Sequence, residues 1–222
     1  MSLIRLLRLS DAPPPAREIV DVAQDGSMTG WRSIHDAVGR FAGTAPDLEA
    51  LRALAEATAG MGPPGTPTLP HDATTDNLTT TAGELVVSDK ATPDGPWGEL
   101  LVACRRLLDE VSRSPVAAVG LVIDGPGRLR LEHRGSEALG IRLETLAFEV
   151  TRWRGRDPVG SREVTGPDLG RVEAGPGWSQ ELTIEDGPAG EPGDLLTASA
   201  SFVAEDGGIY VPVLVYGRAT AT

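Results

Sequence analysis

The sequence predicts an α+β domain followed by an all-β one. Three observations carry this expectation. Apolar residues recur at helical spacing in only two stretches, both before residue 115; runs of strand-forming residues broken by turn signals surround them; and from residue 116 onward the period is two. The reading is therefore a βββαββα domain over 1–115, with its helices on one face of an antiparallel sheet, and a β-sandwich domain over 116–222.

Each element has a local reason. "LIRLLRL", residues 3 to 9, is a short apolar run stopped by "SDAPPP", where three prolines remove backbone donors, so it reads as a strand. Residues 17 to 34 read as a hairpin, because Asp25-Gly26 stands between two strand-like runs and glycine accepts the positive φ of a tight turn. A helix follows over 46–59: Leu48, Leu51, Leu54, Ala55 and Ala59 recur at three and four. Pro46 suits the first helical position, Asp47 and Glu49 the positive end, and Gly60 a left-handed cap. The stretch 60–76 is rich in proline and glycine and reads as a loop inserted within the first domain, since neither flanking half could bury its helix face alone. "NLTTTAGELVVSDK" reads as a second hairpin. "PDGPWGELLVACRRLLDEV" reads as the second helix, with Trp97, Leu100, Leu101, Cys104, Leu107, Leu108 and Val111 on one stripe.

Beyond residue 115 the alternation is regular. Leu129, Leu131 and His133 share a face, as do Leu146, Phe148 and Val150, and Leu196, Ala198, Ala200 and Phe202. "IYVPVLVYGRA" reads as the last strand. Pro212 puts it at an edge or a bulge, because proline cannot donate to a ladder.

Composition narrows function by exclusion. A net charge of -12 with an isoelectric point near 4.7 repels phosphates and anionic lipid, which argues against nucleic acid and membrane surfaces as partners. Lys90 is the only lysine among 20 basic residues, a bias without a functional reading. One cysteine permits no internal disulfide and no Cys-x-x-Cys metal pair. Arg5 and Arg8 break the apolar run at the start too early for a secretory signal, and no stretch approaches the roughly 20 apolar residues of a membrane span. The expected location is the cytoplasm.

No constellation for chemistry emerges. His35, His71 and His133 lie dozens of residues apart; His35-Asp36 and His71-Asp72 resemble the His-Asp pairs of metal phosphohydrolases only as dipeptides. The serines of "GSMTG" and "GPGWSQ" sit at the wrong offset for a nucleophile elbow, and no phosphate-binding glycine loop opens a helix. Cys104 stands in register with an apolar stripe, where a thiol is buried and inert. The expectation is a protein that is not an enzyme and takes no metal or cofactor. Loop and aromatic residues are the candidates for contact with another protein: Asp11, Pro13, Asp25 and Gly26, and then Trp153 with Arg154 and Arg156, since tryptophan and arginine are enriched in interface hot spots.

The succession "LIRLLRLS", "REIVDVAQDGSMTGW", "PDLEALRALAEATAG", "NLTTTAGELVVSDK" and "GPWGELLVACRRLLDEV" resembles the emfourin type of small proteinaceous inhibitor of thermolysin-like metalloproteases. The resemblance covers about half the chain. It implies a sheet with helices on one side, and function by binding a metallopeptidase. The chain departs from the family in one place, where "SDAPPPA" replaces a Gly-rich turn after the first strand. The second half resembles an Ig-like sandwich in outline. The partner expected is thus another protein, a metallopeptidase or, in the alternative, the subunits of a larger assembly for which this chain is an adaptor.

Overall fold

A computed structural model describes residues 2–10, 16–62, 64, 74–125, 128–155, 157–165, 170–183, 195–204 and 207–218. Strand dominates, the described residues contain two helices, and nearly all strand pairing is antiparallel. The chain divides into two compact units, Met1–Arg32 with Arg40–Pro115, and Ser33–Gly39 with Val116–Thr222. The short segment 33–39 thus belongs with the β-rich half of the chain.

The first unit opens with β1 (Ser2–Ser10), β2 (Ala16–Ala23) and β3 (Ser27–Arg32). The expected hairpin is present, but it closes at Arg32, and Ile34–His35 forms a separate two-residue strand, β4. A further strand, β5 (Ala37–Thr44), was not legible, so five strands rather than three precede the first helix. In the structure Gly39 has φ +132, and a Cβ there would overlap the carbonyl oxygen of Ala117. It is a strand glycine because two backbones approach closely.

Helix α1 (Leu48–Ala59) starts two residues later than the sequence implies. Asp47 is its N-cap, its side chain accepting from the Ala50 amide at 3.2 Å. Gly60 is not a left-handed cap, since its φ is -84. The second hairpin is β6 (Thr75–Thr80) and β7 (Gly83–Ser88), and α2 (Pro96–Val111) follows with Pro96 in its first turn. All seven residues of the anticipated stripe on α2 are buried.

The strands of this unit lie in the order β3-β2-β1-β6-β7. Alternation sends Ile4, Leu6, Val20, Val22, Met28, Leu78 and Leu85 to one face, all of them buried. Helix α2 lies on that face: the Val111 methyls come so close to Gly30 that a Cβ would collide with them. Helix α1 packs on α2 and against β1. At roughly 25 cal/mol per Å2, burying each such leucine or valine contributes about 1.5–3 kcal/mol, which is what holds the helices down.

The second unit contains β8 (Pro115–Gly125), β9 (Arg128–Gly135), β10 (Leu139–Arg154), β11 (Asp157–Thr165), β12 (Arg171–Ala174), β13 (Ser179–Thr183), β14 (Leu195–Ala204) and β15 (Ile209–Arg218). Its strands run β13-β9-β8 and β11-β10-β14-β15-β4, with β12 also on β10. The period-two reading holds for Leu129 and Leu131, Leu146 and Val150, and Ala198, Ala200 and Phe202, which are buried, but not for His133, which is half-buried like its neighbours Glu132 and Arg134. Phe202 and Tyr210, directly paired across β14 and β15, stack with ring centroids 5.9 Å apart. Pro212 falls in a gap of that ladder, between the pairs Ser199↔Val213 and Phe202↔Tyr210. On its other side, among the described residues, stands β4, paired parallel through Val211↔Ile34 and Pro212↔His35.

Candidate functional site

Of the seven residues singled out for partner contact, Asp11, Pro13 and Arg156 lie outside the described residues. Asp25 and Gly26 form the β2–β3 turn. The exposed Asp25 carboxylate accepts from the Ser27 hydroxyl at 2.7 Å and the Ser27 amide at 3.0 Å, and these two bonds hold its pKa below the ordinary value. Gly26 has φ +86, and its carbonyl accepts from the Ala45 amide at 2.8 Å. Both residues therefore have work within the turn.

Trp153 is half-buried near the end of β10, beside a register shift, with its indole N–H donating to Thr197 Oγ1 at 2.9 Å. Arg154, next in the strand and opposite Asp157, is exposed. These two residues belong to the second unit, and Asp25 and Gly26 to the first.

His35 contacts its neighbour Asp36, and His133 Nε2 lies 2.7 Å from the Glu137 carbonyl oxygen. Among the described residues no three His, Cys, Asp or Glu side chains converge as a metal-binding group. Cys104 is fully buried, and its thiol pKa is pushed up to about 12, first by burial and then by the charge of Asp76. A thiol so placed stays protonated and makes no nucleophile near neutral pH.

Two arrangements in the first unit were not anticipated. The first is a row of alternating charge on the helix-covered face. Asp76, Arg8, Glu18 and Arg32 stand opposite one another on β6, β1, β2 and β3. Arg8 Nε donates to Asp76 Oδ1 at 2.8 Å, Arg8 also lies 3.6 Å from Glu18, and Arg32 Nε is 2.9 Å from Glu18. Helix α2 closes both ends from residues one turn apart: Arg105 Nε donates to Asp76 Oδ2 at 2.7 Å, and Arg32 Nη2 donates to Asp109 Oδ1 at 3.0 Å. The Asp76 side chain is 0% exposed, so its charge depends wholly on these two guanidinium groups. Burial disfavours the Arg8 charge, yet the Asp76 bond and the charges of Asp76, Glu18 and Asp89 together raise its pKa. Arg32 is less well served: its Nε contact is off the hydrogen-bonding direction, and Nη1 has no hydrogen-bond partner among the described residues. The row seats helix α2 on the sheet through Asp76–Arg105 and Arg32–Asp109.

The second arrangement is the opposite face of the same sheet. The register places Val86, Asn77, Leu7, Ile19 and Trp31 in one row across five strands, all half-buried. One row to the side stand Glu84, Thr79, Arg5, Asp21 and Thr29; on the other stand Ser88, Thr75, Leu9 and Arg17. Arg17 lies over the Trp31 ring, 5.8 Å from its centroid. The result is a strip of Val86, Leu7, Ile19 and Trp31 interrupted by Asn77, with margins that are polar apart from Leu9.

Both arrangements left a trace in the sequence. Arg8, Glu18 and Asp76 occupy the apolar phase of their strands, and Leu7, Ile19 and Trp31 the polar phase. Only the strand register brings either set together. No family model, curated protein or solved structure matches this chain.

Proposed function

We propose that this protein works by binding another protein, with no chemistry of its own, through the helix-free sheet face of its first unit. The observation that carries the reading is the Val86–Asn77–Leu7–Ile19–Trp31 row with its polar margins. Trp31, at the β3 end of that row, has Arg17 over its ring, and tryptophan and arginine are among the residue types enriched in binding hot spots. The resemblance to emfourin-type inhibitors names the class of partner, a thermolysin-like metallopeptidase. The raised Cys104 pKa and the fully engaged Asp76 agree with a protein that binds rather than transforms. We read the second unit as an Ig-like sandwich, supported by the one-sided burial along β9, β10 and β14.

The test is a titration of a thermolysin-like metallopeptidase with the intact protein. The expected result is stoichiometric loss of peptidase activity, weakened at least tenfold by Ile19→Glu, which places a charge in the middle of the strip. Full peptidase activity at excess protein removes the inhibitor reading. Equal potency of wild type and Ile19→Glu removes the face.

A further inference from the structure

The sheet of the first unit ends at β7. Strand β7 pairs with β6 along its whole length, from Thr75↔Ser88 to Thr80↔Gly83, and among the described residues no strand pairs with the far side of β7. Thr81 and Ala82 make a two-residue turn, so Thr80 and Gly83 are joined by hydrogen bonds and joined pairs alternate from there. The amides and carbonyls of Glu84 and Val86 therefore point away from β6. Edge strands ordinarily carry a lysine, a proline or a bulge that discourages further pairing. β7, "GELVVS", has none of these, and its register with β6 is unbroken. Its single charge is Glu84, which is exposed and stands on the same face as Val86.

We propose that β7 is a docking edge, to which an extended segment of a partner protein adds as the next antiparallel strand. That segment presents an apolar residue opposite Val86 and, two positions on, a basic residue opposite Glu84. Charge chooses the basic residue: Glu84 is the one charged side chain of β7 and is exposed, and the chain's net charge of -12 draws cationic segments toward it. Shape chooses the apolar one, because it extends the strip that begins at Val86 and runs to Trp31. Main-chain bonds to Glu84 and Val86 supply affinity, and the two side chains supply selectivity. The inference rests on the binding-protein reading above and specifies how the partner is held.

The experiment uses the intact protein and two blocked peptides, acetyl-Thr-Thr-Val-Thr-Lys-Thr-Thr-amide and its counterpart with Glu in place of Lys, followed by amide NMR. The expected result is saturable shifts and slowed hydrogen exchange at the Glu84 and Val86 amides. The Lys peptide should bind about threefold tighter than the Glu peptide, with the preference reversed in Glu84→Lys. Val86→Pro removes an outward-facing amide and should abolish binding. Should that variant not fold, a Lys peptide N-methylated at its valine must fail to bind wild type. Absence of protection at Glu84 and Val86 up to millimolar peptide overturns the proposal, as does indifference to the Lys/Glu exchange. Protection that grows with protein concentration alone assigns the edge to a second copy, and equally overturns it. If peptidase inhibition is lost in Ile19→Glu but kept in Val86→Pro, the edge fails while the binding-protein reading stands. If both variants inhibit like wild type, that reading fails as well.

Discussion

Cys104 shows how one side chain couples the core to the charged row beside it. Its thiol pKa is raised from an ordinary 9.0 to about 12, so folding favours the protonated form. That contribution is fully present below about pH 9 and is lost as pH rises toward 12. Cys104→Ala should cost about 1 kcal/mol near neutrality, the ordinary toll of a small buried side chain. Its deficit relative to wild type should shrink in urea titrations repeated at increasing pH above 9. A constant deficit would mean that the thiol is not held protonated. Asp76→Asn preserves shape but leaves Arg8 and Arg105 facing a neutral group. Loss of a buried ion-pair partner costs 3–5 kcal/mol, and because both arginines keep some access to water we expect about 3 kcal/mol in chemical denaturation. Gly26→Ala should lose about 1 kcal/mol, because its φ of +86 strains any side chain and the Leu48 methyl stands 3.0 Å from where a Cβ would lie.

Among the elements, legibility followed locality. The α2 stripe was readable in full, since its period is written in consecutive residues and the tertiary contacts only confirm it. The two hairpins were readable from Asp25-Gly26 and from the turn before Gly83. Strand β5 was not, because its Gly39 serves a backbone approach to Ala117 that is remote in sequence. The charged row was unreadable for the same reason: Arg8, Glu18, Arg32 and Asp76 are unrelated until the register aligns them. We expect such a row to fix register more than it adds stability. Replacing it with Arg8→Met, Glu18→Leu, Arg32→Met, Asp76→Leu and Arg105→Met should leave the melting temperature equal or raised. The amide spectrum of β1 and β2 should then show more than one pairing, since a register slip no longer leaves buried charges without partners. A single sharp spectrum would show that the apolar contacts alone fix the register.

At the scale of the molecule, the boundary expected at 115 to 116 omits one exchange, the membership of Ser33–Gly39 in the second unit. A fragment of residues 116–222 lacks β4, the parallel neighbour of β15, and Gly39, which lies against Ala117. It should show a broader thermal transition than the same fragment supplied with residues 33–39. Equal cooperativity would make that segment dispensable. No helix among the described residues is long and apolar enough to cross a bilayer.

Function turns on whether the helix-free face of the first unit is where a partner sits. Affinity capture from the source lysate, with wild type and the Ile19→Glu, Trp31→Ala double variant immobilised at equal density and equal foldedness, addresses this directly. At least one protein should be retained stoichiometrically by wild type and fall at least tenfold on the variant. Retention of the same proteins at the same level by both, or of none by wild type, would contradict a binding role for that face.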